Sequence, residues 1–178
     1  PLMHSKNMYE NQRKTTSEKR VVNLTRSGFG GQQRYSTIVW SGDVLATWDV
    51  FKKQIPAGLN FCSSGIPYWT TDIGAFFITP RGDDGGFDRG TLDDEYKELY
   101  LRWFQFGAFC PMFRSHGTDY PREVWRFGEP GTWCFDALLK MDQLRYRLLP
   151  YIYSVGWMTT HNGYTMMRPL AFDFRSDK

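Results

Sequence analysis

A chain of 178 residues is long enough for one domain with a sizeable core, and 41% hydrophobic against 23% charged residues describes a globular rather than a disordered composition. No apolar run approaches the ~20 residues that cross a bilayer. The net charge is only +3, and much of the excess sits near the start, where Lys6, Arg13, Lys14, Lys19 and Arg20 face Glu10 and Glu18; this reads as a solvated helix face, not as a nucleic-acid patch.

The chain opens on Pro1 with no charged-then-apolar leader, so it reads as an excerpt of a longer protein, and nothing in it fixes a compartment. Residues 3–19 are predicted helical. VVNLTRS (Val21 to Ser27) is a β-rich run that ends in Arg26, and TIVWSGD (Thr37 to Asp43) is a second that ends in Asp43. Trp48, Phe51, Ile55 and Leu59 then fall on roughly one helical face, with Pro56 expected to limit its length. GIPYWTTD (Gly65 to Asp72) is a third strand, ending in Asp72. DDEYKELYLRWFQFGA (Asp93 to Ala108) has an acidic first turn and places Tyr96, Leu99, Tyr100 and Trp103 at helical spacing. FCPMFRSH (Phe109 to His116) is predicted as a short fourth strand ending in Arg114 and His116. Phe135 to Thr160 is a long helical stretch, broken or kinked at Pro150.

Strands alternating with helices imply parallel βα units of an α/β fold. Each candidate strand ends in a charged or titratable residue, which is the pattern left by the active face of a (β/α)8 barrel; four strands are half of such a barrel, whose usual length is ~250 residues.

The residues taken singly leave alternatives open. Asp43 is either the N-cap of the next helix or a catalytic acid, and Asp72 is either a buried structural acid or a functional one. Arg26 and Arg34 have the ordinary reading of ion-pair arginines. His116 reads as a satisfied polar residue, since His4 and His161 offer no metal-ligand spacing. Trp40, Tyr68, Trp69 and Phe76 lie beside the strand-end charges, where flat rings pack on sugars. SGFGGQQ (Ser27 to Gln33) lacks the last glycine of a dinucleotide fingerprint, and RGDDGGFDRG (Arg81 to Gly90) lacks the ligand alternation of a calcium loop, so the latter reads as a mobile surface loop. Cys62, Cys110 and Cys134 form no CxxC pair and read as buried thiols.

The runs LTRSGFGGQQRYSTIVWSGD, GIPYWTTDIGAFF, FCPMFRSHG, PREVWRFGE, LRYRLLPYIYS and MRPL, in that order over nearly the whole chain, resemble glycoside hydrolase family 31, which includes α-glucosidases and α-xylosidases. GQQRY and GIPYWTTDIG are most similar to its bacterial α-xylosidase-like branch. The resemblance implies a partial (β/α)8 TIM barrel, strands 5 to 8 with their helices, with residues 1–178 as one partial catalytic domain whose end leads towards a β-sandwich. It implies that Asp43, in the WxGD motif, is the general acid/base. Arg26 and His116 would bind hydroxyls of the sugar being cleaved, Asp72 would serve the same pocket, and Trp40, Trp69 and Phe76 would wall it. The sequence departs from the family pattern at Val44 and Ala75.

A nucleophile motif like WxDxNE is absent, and the resemblance places it upstream. Without the resemblance, Asp43 and Asp72 would have been paired as acid and nucleophile. The implied chemistry is hydrolysis of terminal α-linked sugars by double displacement, needing no cofactor and no metal, with an oligosaccharide as partner. The isolated chain is expected to be inactive. A non-catalytic carbohydrate-binding module and a basic nucleic-acid binder are the rival classes; the carboxylates at the pocket would repel phosphate.

Overall fold

The β-branched run Thr37-Ile38-Val39 forms the middle strand of a parallel sheet. The computed structural model describes residues 1–177. In chain order it contains α1 (Leu2–Thr15), β1 (Asn23–Thr25), β2 (Thr37–Trp40), α2 (Trp48–Ser63), β3 (Trp69–Thr70), α3 (Asp94–Gly107) and α4 (Trp133–Asn162), joined by loops and short 3-10 turns. The sheet order is β1-β2-β3, all parallel, with Leu24 opposite Ile38 and Val39 opposite Trp69.

Parallel register puts opposed residues on the same face. Val39 and Trp69 share the face that packs on α2, where Gly58 lets the helix approach so closely that an added Cβ would stand 2.7 Å from the Trp69 ring. Trp40 and Thr70 share the opposite face.

The helices follow from their caps. Thr47 caps α2 by accepting from the Val50 N–H at 3.2 Å, and Asp93 caps α3 by accepting from Glu95 and Tyr96, with Asp94 and Glu95 in the first turn where the helix dipole favours them. α3 buries Tyr96, Leu99, Tyr100 and Trp103, as its spacing predicts, and with Ile73, Ile78, Phe127 and Leu138 they form the core.

Three expectations are corrected. α2 runs on past Pro56 to Ser63 because Pro56 and Lys52, whose carbonyl loses its helical donor, are both exposed, where water can serve that carbonyl. Its fully buried residues are Gln54, Gly58 and Cys62; of the expected face, Phe51 packs on the Trp103 ring at 5.0 Å and Leu59 is half-buried, while Trp48 and Ile55 are exposed. α4 likewise continues unbroken through Pro150, which is exposed.

The expected fourth strand is, instead, a run of turns and bends that meets the sheet edge in a single parallel bridge, Ile73 to Ser115. Its carbonyls are taken by side chains: Thr70 Oγ1 donates to Met112, and Arg145 of α4 donates to Ala108, Cys110 and Pro111. Pro111 also has no N–H for a ladder.

The glycine-rich loop after Arg81 is tied down at its far end. Phe87 N–H donates to the Ile78 carbonyl at 2.7 Å, and its ring packs on Tyr96. The three cysteines are free and buried. Among the described residues no helix is long and apolar enough to cross a membrane.

The contact between Gly58 and Trp69 yields a stability test. Gly58→Ala improves helix propensity yet overpacks the Trp69 ring, so it is expected to lower the unfolding free energy by about 1–3 kcal/mol in urea. A gain in stability would mean that the helix does not sit this close to the sheet.

Candidate active site

Because the strands are parallel, the residues that follow them emerge at one end. Arg26 follows β1 directly, Asp43 follows β2 after a Ser-Gly turn, and Asp72 follows β3. The Ile73–Ser115 bridge brings the segment from Arg114 to His116 alongside.

Arg26 Nη2 donates to Asp43 Oδ2 at 2.7 Å, with the two side chains 64% and 27% exposed. The same guanidinium lies 5.6 Å from the centre of the Trp40 ring. Asp43 reaches this place through Gly42, whose φ of +83° is a conformation that L side chains rarely adopt. Since Thr47 caps α2, Asp43 is no helix cap. The ambiguity in the sequence is thereby resolved in favour of a carboxylate held at the strand end by an arginine.

Asp72 is fully buried. Its Oδ1 accepts from Arg114 Nη1, while its Oδ2 has no partner among the described residues. Burial pushes its carboxyl above the usual range, the charges of Arg114 and His116 oppose that rise, and the charge of Asp43 adds to it. The three groups therefore lie within electrostatic reach of Asp72. With no exposed atom, Asp72 makes its one side-chain hydrogen bond to Arg114.

Phe76 and His116 are paired, with ring centres 5.7 Å apart. Phe76 sits at the end of a loop whose backbone is pinned from several sides. Phe76 and Phe77 N–H both donate to the Val44 carbonyl, and Tyr96 Oη donates to the Gly74 carbonyl. Ala75, the position where the family pattern has glycine, takes φ +70° and is fully buried.

The structure brings together Arg26, Trp40, Asp43, Asp72, Phe76 and His116. Trp69 goes elsewhere. It is fully buried on the helix side of β3, against Gly58 and 6.3 Å from the Phe106 ring, so it presents no face to a sugar. Tyr68 lies at the opposite end of the same strand, its hydroxyl directed at the Gly156 carbonyl. Arg34 belongs to a 3-10 turn away from these residues, and the SGFGGQQ stretch serves packing, with Gln32 buried and donating to Ser5 and Thr25 hydroxyls.

Sequence reasoning missed three supporting groups. Thr71 Oγ1 accepts from Ser41 and from the Trp103 indole and donates to Gln54, tying the ends of β2 and β3 to two helices. Asp119 accepts from Ile78 N–H, Thr79 N–H and Arg81. Arg122 is buried against the loops that carry Phe76 and His116. Nothing in their spacing marks them. Among the described residues no group of three His, Cys, Asp or Glu could hold a metal ion.

Known proteins of one family resemble the chain. The family model "Glycosyl hydrolases family 31 TIM-barrel domain" matches residues 1–155. An α-xylosidase of Saccharolobus solfataricus is 54% identical over 179 residues, covering 100% of this chain and 22% of the relative. Alpha-xylosidase A of Aspergillus niger is 33% identical, covering 98% of this chain and 25% of its own. The crystal structure of a family 31 α-xylosidase from Xanthomonas citri matches with a TM-score of 0.90 at 42% identity, over 99% of this chain and 19% of that one. The chain thus spans a quarter or less of the length of these relatives.

The capping geometry separates two threonine and aspartate roles by stability alone. Thr47→Ala removes the cap of α2 and is expected to cost about 1 kcal/mol. Asp43→Ala removes only a partly exposed ion pair and is expected to change stability by less than about 1 kcal/mol. Urea unfolding of both variants checks this; a larger loss at Asp43 than at Thr47 would restore the structural reading of Asp43.

Proposed function

Since the chain belongs to glycoside hydrolase family 31, we propose that it carries the acid/base part of the active site of a retaining α-glycosidase that removes terminal α-xylosyl groups from oligosaccharides, such as those of xyloglucan. The observation that carries this reading is the Arg26–Asp43 pair at the ends of adjacent parallel strands, with Phe76 tied by its N–H to the carbonyl of Val44, next to Asp43, and its ring paired with His116. The choice of xylose over glucose rests on the 54% identity to the Saccharolobus α-xylosidase and the match to the Xanthomonas α-xylosidase structure at 42% identity.

The chemistry follows from the acetal. A sugar leaving as an alkoxide is a poor leaving group, so the glycosidic oxygen must receive a proton as its bond to the anomeric carbon breaks. Asp43 donates that proton. A second carboxylate, about 5 Å away in retaining enzymes, attacks the opposite face of the sugar and forms a glycosyl-enzyme. Asp43, now a carboxylate, takes a proton from water as the water displaces the enzyme from the anomeric carbon. Two inversions return the α configuration.

Arg26 holds the Asp43 carboxylate and has donors to spare, so a sugar hydroxyl can share it. Its 64% exposure is consistent with that reach. His116 is exposed and supplies a hydrogen bond to another hydroxyl, and Phe76 and Trp40 offer flat walls.

Asp72 is left out as attacking group because it is buried against Arg114. The nucleophile accordingly comes from outside these residues, and the isolated chain is expected to be inactive. Hydrolysis of an α-xyloside by the isolated chain would contradict this.

Asp43→Ala in the complete enzyme tests the assignment. An α-xylosyl fluoride needs little protonation to leave, so it should still glycosylate the variant, whereas a natural oligosaccharide should be nearly inert. Azide needs no general base; it should restore turnover and give an α-xylosyl azide. A β-azide would identify Asp43 as the nucleophile, and near-normal turnover of both substrates would remove it from the chemistry.

A further inference from the structure

Arg122 is only 6% exposed, and among the described residues it forms no ion pair with a carboxylate. A buried guanidinium is costly unless its donors are met. Here the two Nη groups are met by main-chain carbonyls from two loops, while Nε has no partner among the described residues. Nη1 donates to Ala75 O and, at 3.0 Å, to His116 O; Nη2 donates to Thr118 O at 2.7 Å and to Phe76 O at 3.4 Å.

The loop after β3 carries Phe76, and the loop after the Ile73–Ser115 bridge carries His116. One planar fork therefore staples together the backbones that present the two paired rings. Gly117 makes this possible: a Cβ there would lie 2.3 Å from Nη1. The staple is anchored from behind, since Tyr100 Oη of α3 donates to the Arg122 carbonyl at 3.0 Å and pairs with Ser115 Oγ at 2.9 Å.

We propose that Arg122 is a positioning residue: by bridging the two loops it sets the separation of His116 from Phe76 and thereby the grip of both on the sugar. This rests on the functional reading above. Arg122 touches no substrate, because it lies beneath the loops. The fork geometry is what matters, not the charge. A lysine keeps the charge but presents a single nitrogen on a flexible stem, which cannot reach across both loops as the guanidinium does.

The test uses the complete enzyme with Arg122→Lys and, as a second way of displacing the fork, Gly117→Ala, each made alone and together with His116→Ala. Three quantities are read: kcat/KM on an aryl α-xyloside, the melting temperature, and the rate at which diethyl pyrocarbonate modifies His116, followed by mass spectrometry of its peptide. Each variant alone is expected to lose about tenfold or more in kcat/KM, and less than about threefold further once His116 is already alanine, because residues that act through one another are not additive. The modification rate of His116 is expected to change in both variants that retain it, with folding kept.

Equal losses with and without His116, or an unchanged modification rate, would overturn the proposal. If both variants fail to fold, Arg122 is a folding residue and the proposal is likewise overturned. If the unmodified enzyme does not cleave α-xylosides, the functional reading fails by itself, while the His116 modification rate still decides whether Arg122 positions that ring.

Discussion

Parallel register between β1, β2 and β3 is the constraint on which the rest depends. With Val39 opposite Trp69, the helix-facing side of the sheet is filled and Trp40 is turned to the other side. A slip of one residue in β2 would exchange those faces, carrying Trp40 into the packed layer beneath α2 and drawing Asp43 away from Arg26. The sheet is small, and its register is fixed mainly by shape: Gly58 admits the Trp69 ring, and the ring admits no other spacing. A helix position without a Cβ thus lets α2 pack closely on the sheet whose strand end carries Asp43.

Charge in this protein is organised in two ways. At the exposed end, Arg26 and Asp43 meet in partial contact with solvent, where their attraction is modest and the pair can open for a ligand. Behind them, the buried charges are locked. Asp72 is held by Arg114, and Arg122 and Arg145 spend their donors on main-chain carbonyls of the segments around His116 and Pro111. Those carbonyls have no ladder partners, because the chain there makes one bridge instead of a strand. Arginine side chains do the work that a longer fourth strand would do, and they leave the loops free to shape a pocket.

The legible parts of the fold were those written in side-chain periodicity and in strand ends. α3 announced its buried face at Tyr96, Leu99, Tyr100 and Trp103, and Arg26, Asp43 and Asp72 each stood directly after a β-rich run. α2 is legible only in part: Phe51 of the expected face packs on Trp103, but Trp48 and Ile55 are exposed and the fully buried positions are Gln54, Gly58 and Cys62, which no hydrophobic pattern marks. Trp69 is expected at the pocket both from its place in the chain and from the family resemblance, but strand alternation sends it to the helix side. Arg122 was invisible for a different reason: its partners are backbone carbonyls, which every residue has. The roles of Asp43, Arg26 and His116 came from resemblance to a family, and the geometry then removed the helix-cap alternative for Asp43.

If these residues supply proton transfer and sugar binding, the attacking carboxylate lies elsewhere in the protein. A fluorinated α-xylosyl fluoride that glycosylates the complete enzyme and turns over slowly would leave its sugar on the nucleophile, where peptide mass spectrometry can find it. The account predicts the label on an Asp or Glu outside residues 1–178. A label on Asp43 or on Asp72 would contradict it.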